Sequence, residues 1–307
     1  MNMGMTPPRR ILIDRTHMIT RRCTQRKFLL RPSKKTDQAF VYCFAVAAKR
    51  YDVDVYWLSV QANHYHAGVR DKHGNYPEFL RYFHSLVARC LNAYRGRWEN
   101  LWSTEPSGAL ELGDAEAIFD KMTYSLCNPV KDHLVDRVLN WPGFISYRYQ
   151  LADKPVVVKR PKWFFNKSGS MPEEVELRFD RPPEFAHLTH EQWADKICAA
   201  VTEEEEAAAR ARQAEGKRVL GRKAILRQSP FSCPKSFAVR RGLRPRVASK
   251  NKWRRIELLQ ANKDFQRRYR EAYRQRRAGD QAVVFPLGTY KLRVHGLVCC
   301  ESAPARE

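Results

Sequence analysis

The 307-residue sequence predicts an α+β fold, a ferredoxin-like antiparallel sheet with helices packed on it, followed by a basic C-terminal extension. Three observations lead there. Apolar residues in the first half switch between the two-residue period of strands and the three- and four-residue recurrence of helices, in the order strand, helix, strand, strand, helix. The chain carries 56 Lys and Arg against 33 Asp and Glu, a net charge of +23. That charge is uneven: residues 217–307 hold 24 Lys and Arg against 6 Asp and Glu, a surplus of 18.

Residues 1–15 are basic and irregular, and His17 to Leu30 mixes β-branched with basic residues, which predicts a strand and then a turn at Arg31-Pro32-Ser33. Arg21, Arg22 and Arg26 either track a phosphate backbone or form a solvated face. Thr36 to Tyr51 repeats apolar residues (Phe40, Cys43, Phe44, Ala47) at helical spacing, and Asp52 to Gln61 is a strand rich in Val, Tyr and Trp. A strand over His64–Arg70 closes at a bend near Asp71 to Asn75, and Pro77 opens a second helix reaching Tyr94. Arg97 to Ser103 reads as a further strand, whose Trp98 and Trp102 either pack in the core or stack on bases. Asp114 is a good N-cap for a third helix running to about Cys127, which Asn128-Pro129 ends or bends.

Beyond Trp141, Val156-Val157-Val158 and Trp163-Phe164-Phe165 are expected as strands added to the sheet edge. A helix capped at Thr189 passes into a solvated acidic run, Glu203 to Glu206. Arginines then interleave with aromatics, including Arg240, Arg241, Arg244, Arg246, Arg254 and Arg255, as in a nucleic-acid-binding tail. Residues 251–277 read as helix, and 282–294 as a short ordered element. The expected division is 1–150, a catalytic domain; 151–216, a connecting segment; and 217–307, the DNA-binding extension.

A surplus of this size favours a polyanionic partner, nucleic acid before anionic membrane. No apolar run reaches the roughly 20 residues that span a bilayer, and the start lacks a secretory signal, so the expected location is cytoplasmic with no membrane partner. Eight cysteines lie scattered with no C-x-x-C pair, which disfavours a disulfide scaffold or a structural zinc site. No glycine-rich phosphate loop appears, and Gly68 stands where histidine-triad hydrolases place another histidine.

Chemistry concentrates at Asn63-His64-Tyr65-His66. On a strand, His64 and His66 share a face and Tyr65 takes the other, so the pair either holds a divalent metal with a third ligand or stands as a solvated edge. On the third helix Tyr124 and Asn128 are four apart and share a face. Set over the strand, they add a phenol and a carboxamide oxygen. Mixed nitrogen and oxygen ligation with open positions suits Mg²⁺ or Mn²⁺. Read from residue types alone, Tyr124 in such a place is more often a packed aromatic and Asn-Pro more often a helix stop.

These residues, with Gly96 to Ser103, Tyr124-Ser125-Leu126-Cys127-Asn128-Pro129-Val130 and the stretch 26–33, resemble the single-tyrosine HUH transposases. Within them the chain looks most like the REP-associated tyrosine transposases, over about residues 15–150. The resemblance implies an HUH nuclease fold, metal ligation by His64, His66 and Asn128, and Tyr124 as nucleophile on single-stranded DNA beside a hairpin or palindromic repeat. DNA transposition or recombination through a covalent phosphotyrosine would follow, with the protein a monomer or homodimer. Two positions depart from the family pattern: Lys131-Asp132-His133 replaces a small residue and glycine, and Tyr65 replaces an aliphatic residue. The alternative is a noncatalytic nucleic-acid-binding protein that keeps the fold.

Overall fold

The computed structural model describes residues 8–236 and 245–302. Its first half runs β1 (Arg15–Arg22), α1 (Lys34–Tyr51), β2 (Val53–Val60), β3 (His64–Asp71), α2 (Tyr76–Tyr94), β4 (Gly108–Leu112) and α3 (Ala115–Lys131). The second half adds α4 (Tyr147–Ala152), β5 (Val156–Lys159), β6 (Glu174–Leu177), α5 (His190–Ala214), α6 (Arg222–Arg227), β7 (Val247–Ala248), α7 (Lys252–Arg277), β8 (Val284–Phe285), α8 (Lys291–Val294) and β9 (Cys299–Cys300).

Strand alternation decides what the sheet covers on each side. Its order is β2-β3-β1-β4-β7, with β3 antiparallel to both β1 and β2, and β1 antiparallel to β4. Ile19, Tyr65, Ala67 and Val69 face α1 and α2, where Phe40, Phe44, Phe79 and Phe83 meet edge to face. Each such phenyl stabilises the fold by roughly 1.5–3 kcal/mol on burial. Met18, Tyr56, Trp57 and Leu112 face the other way, onto Ile118, Met122 and Leu126 of α3 and, behind it, Trp193 and Ile197 of α5. Tyr56 and Trp57 reach the same side because a bulge interrupts β2 between Val55 and Trp57. Gly68 is the consequence: a Cβ there would sit 2.2 Å from the Trp57 ring, so the next position on the histidines' face has no room for a side chain.

Two caps fix the helices that matter here. The Asp71 carboxylate accepts from the backbone N–H of Asn75 and Tyr76 at the start of α2, at 2.9 and 3.0 Å. Asp114 accepts from Ala117 N–H at 2.7 Å, as expected of an N-cap, and also takes the hydroxyl of Ser249 and the N–H of Asn251.

The architecture departs from expectation at five places, one of which is Trp163-Phe164-Phe165, a turn and not a strand. The sheet is mixed, because β7 runs parallel to β4. Arg97 to Ser103 is not a strand; Leu101 and Trp102 are buried individually, with one isolated bridge between Cys23 and Trp102, and Trp98 is 93% exposed. The strand beside β1 is instead Gly108–Leu112. Val156–Lys159 pairs with Glu174–Leu177 as a separate two-stranded sheet and does not extend the main one, whose β2 edge is already occupied by Phe144 and Ser146. The acidic run is not purely solvated: Glu204 binds Lys131 at 2.9 Å and Glu205 accepts Val138 N–H at 2.8 Å, fastening α5 over the end of α3.

Candidate active site on the open sheet face

β1 and β3 build one half of the site through their register. Thr20 lies opposite His66 and Arg22 opposite His64, so all four point to the α3 side. Thr20 Oγ1 is 2.9 Å from His66 Nδ1, and Asn63 Oδ1 is 2.8 Å from His64 Nδ1. Each bond engages Nδ1 and leaves Nε2 as the nitrogen facing the shared space, and the rings stand edge to face with centroids 4.9 Å apart. Burial pushes the His64 imidazolium down to about 4, helped by the charge of Arg22 and opposed by the Asn128 carboxamide. Burial, then His64, then Arg22 hold His66 well below its ordinary value. Both rings are therefore neutral donors at pH 7.

Tyr65 points away, as strand alternation requires. It is fully buried, with its hydroxyl 2.6 Å from His84 Nε2, which explains why an aromatic is accommodated at this slot.

α3 supplies the other half. Ala117, Ile118, Met122, Leu126, Cys127 and Val130 anchor its buried side, while Tyr124 and Asn128 face the histidines. The Tyr124 ring meets His66 edge to face at 5.7 Å and remains 40% exposed. Pro129 does not end the helix, which continues to Lys131. It lies in the last turn, where Leu134 N–H still reaches its carbonyl at 2.9 Å. Lys121 and Lys131 place their ammonium groups 5.9 and 5.7 Å from the Tyr124 ring centroid. Each ammonium is ion-paired, Lys121 with Asp120 at 2.8 Å and Lys131 with Glu204 at 2.9 Å. Histidines, tyrosine and carboxamide come together within one chain.

Two buried atoms here have no hydrogen-bond partner, His66 Nε2 and Asn128 Oδ1. An unsatisfied buried polar atom costs about 1–3 kcal/mol, and a cation shared between the two would relieve it. Two neutral imidazoles and a carboxamide oxygen fit a divalent metal of the Mg²⁺ or Mn²⁺ kind. Among the described residues, three or more His, Cys, Asp or Glu side chains nowhere gather to hold a metal.

The basic residues sort by position. Arg22 and Arg26 stand beside His64, at a cavity of about 420 Å³ that His64 also lines. Arg21 is on the opposite face, its guanidinium 5.5 Å over Trp102. Arg246 reaches Pro8 O at 3.4 Å, Arg254 pairs with Glu257 at 2.8 Å and Arg255 reaches Ser249 O at 3.5 Å, none of them at the histidines. Arg240, Arg241 and Arg244 lie outside the described residues. On α7, Lys263, Arg267, Arg270, Arg274 and Arg277 are exposed at alternating four- and three-residue intervals and so form one basic ridge. That spacing is legible in the sequence. No helix among the described residues is long and apolar enough to cross a membrane.

No protein-family model and no curated protein matches the chain. Among solved structures it is similar to a REP-associated tyrosine transposase bound to a REP hairpin, at TM-score 0.41 and 15% identity, over 55% of this chain and 94% of that one. A Deinococcus radiodurans protein described as a transposase matches at TM-score 0.27 and 13% identity, over 34% of this chain and 85% of that one. Similarity at these levels carries no functional weight, and the chemistry has to be read from the site itself.

Proposed function

We propose that this protein nicks and transfers single-stranded DNA in a metal-dependent reaction through a phosphotyrosine at Tyr124, acting in the manner of a tyrosine HUH transposase at hairpin or palindromic repeats. The observation that carries the reading is the convergence of an accessible phenol with two neutral imidazoles and an unpartnered carboxamide oxygen in one chain. The Tyr124 oxygen attacks phosphorus, a tyrosyl ester forms, the bond to the 3′ oxygen breaks, and a 3′-hydroxyl leaves. The phenol proton passes to solvent and the leaving oxygen takes one up, so the ester stores the bond for rejoining. Arg22 beside His64, and Lys121 and Lys131 on exchanging Asp120 and Glu204 for phosphate oxygens, neutralise phosphate charge. His64, His66 and Asn128 would hold the cation; when bound, it supplies Lewis-acid polarisation of the phosphate.

Incubation with a labelled hairpin oligonucleotide and Mn²⁺ should yield a covalent protein–DNA adduct, absent in Tyr124→Phe while binding to the same DNA persists. Equal behaviour of the two proteins, both binding and neither forming an adduct, would replace this reading with a noncatalytic binding module.

A further inference from the structure

The cavity beside His64 is assembled from parts of the chain far apart in sequence. Its inner wall comes from Phe28, Gln61 and Trp141, and its outer wall from Gln228, Pro234 and Ser236. The outer segment is tied down at several points. Arg31 donates to Leu226 O and Gln228 O at 2.9 and 3.0 Å, Arg26 donates to Ser236 O at 2.6 Å, and Phe28 N–H donates to Ser232 O at 2.9 Å.

Inside it, Gln61 is 2% exposed, donates through Nε2 to Ser59 Oγ at 2.8 Å, and leaves Oε1 buried with no partner. Gln61 lines the cavity together with the aromatic walls Phe28 and Trp141, and a carboxamide with a free acceptor beside such walls suits a flat group that carries an N–H donor. Arg22 and Arg26 line the same cavity with cationic groups that match flanking phosphates. At about 420 Å³ the space suits one nucleotide, within the usual range for small-ligand sites.

We propose that this cavity is a nucleobase pocket that takes one unpaired base next to the nicked phosphodiester and selects a base bearing an exocyclic amino group, through Gln61 Oε1. It rests on the reading of Tyr124 as the nicking residue only for the distance from base to nick. The segment 225–236 thereby sets which flank is cut, although it lies well outside the elements that carry the histidines and tyrosine.

The test uses the full chain and a labelled hairpin oligonucleotide with single-stranded flanks. Each flank base in turn is replaced by an abasic site, with binding followed by anisotropy in EDTA and adduct yield followed with Mn²⁺. One flank position should lose tenfold or more in binding on base removal. There, adenine or cytosine should exceed its analogue lacking the amino group by about tenfold, and Gln61→Leu should erase that preference while Gln61→Glu, which keeps an acceptor, retains it. Tolerance of abasic sites everywhere within threefold, or undiminished discrimination by a folded Gln61→Leu protein, overturns the pocket. Adducts that form equally on every flank also overturn it while leaving the nicking reading intact. Base-sensitive binding without any adduct does the reverse.

Discussion

At the scale of single residues, the site is defined by which atom each side chain leaves free. Thr20 and Asn63 occupy the Nδ1 atoms of the two histidines, so their effect on a bound cation is exerted through ring orientation. Thr20→Val is expected to weaken Mn²⁺ binding about 10–100-fold with little change in thermal stability, the range typical of such supporting hydrogen bonds, as read by metal titration. A Thr20→Val protein that binds Mn²⁺ as tightly as wild type would remove the supporting role. Gly68 gives a prediction of the opposite kind. Gly68→Ala forces a methyl into the Trp57 ring and should lower stability by about 1–3 kcal/mol in denaturant melts, with metal binding altered only as far as β3 moves. Wild-type stability in the Gly68→Ala protein would show that the ring yields freely. The histidine pair, Tyr124 and Asn128 were legible as residue types at fixed spacings. Gln61 was not, because an unpartnered carbonyl oxygen exists only once a cavity surrounds it.

At the scale of elements, the helices were easier to read than the strands. Caps and apolar stripes are local, and α1, α2 and α3 begin within a few residues of the starts read at Thr36, Pro77 and Asp114. β4 was illegible because Gly-Ala-Leu-Glu-Leu is short, opens on glycine and owes its strand state to β1 on one side and β7 on the other. Arg97 to Ser103 misled for the converse reason, since its aromatics report burial of Trp102 against His84 rather than pairing. Asp114 joins these levels by capping α3 while holding Ser249 and Asn251 of the C-terminal segment. Asp114→Ala is therefore expected to destabilise by about 1–2 kcal/mol or more, beyond an ordinary cap loss, with α3 amides exchanging faster than those of α1. Uniform protection across both helices after that substitution would count against it.

At the scale of the whole molecule, charge and pH act on every part together. With +23 overall and the exposed ridge on α7, affinity for nonspecific DNA should fall by about a thousandfold or more between 50 and 200 mM salt. Replacing Arg267, Arg270 and Arg274 by alanine should flatten that slope. A slope unchanged by the triple variant would place the DNA elsewhere. Acid works through several buried histidines, among them His17, buried against the Tyr76 ring at 4.6 Å and pushed by burial down to about 4. Below pH ~6.5 the unfolded chain binds a proton at this residue that the folded chain refuses until about pH 4. Its contribution to stability is therefore whole above that window and is lost as pH falls through it, at about 1.4 kcal/mol per pH unit. His17→Phe, which keeps a ring on Tyr76, should remove one proton from the measured slope between pH 6 and 4.5.

The wall formed by residues 225–236 has a temporal side as well. A ribosome extends a chain at roughly 5–20 residues per second, so the stretch ending at Asn128 emerges on the order of ten seconds before that wall does. For that interval each newborn copy holds its reactive groups without the partition that encloses Gln61. On the proposed reading, base selectivity is acquired only after the reactive groups have emerged.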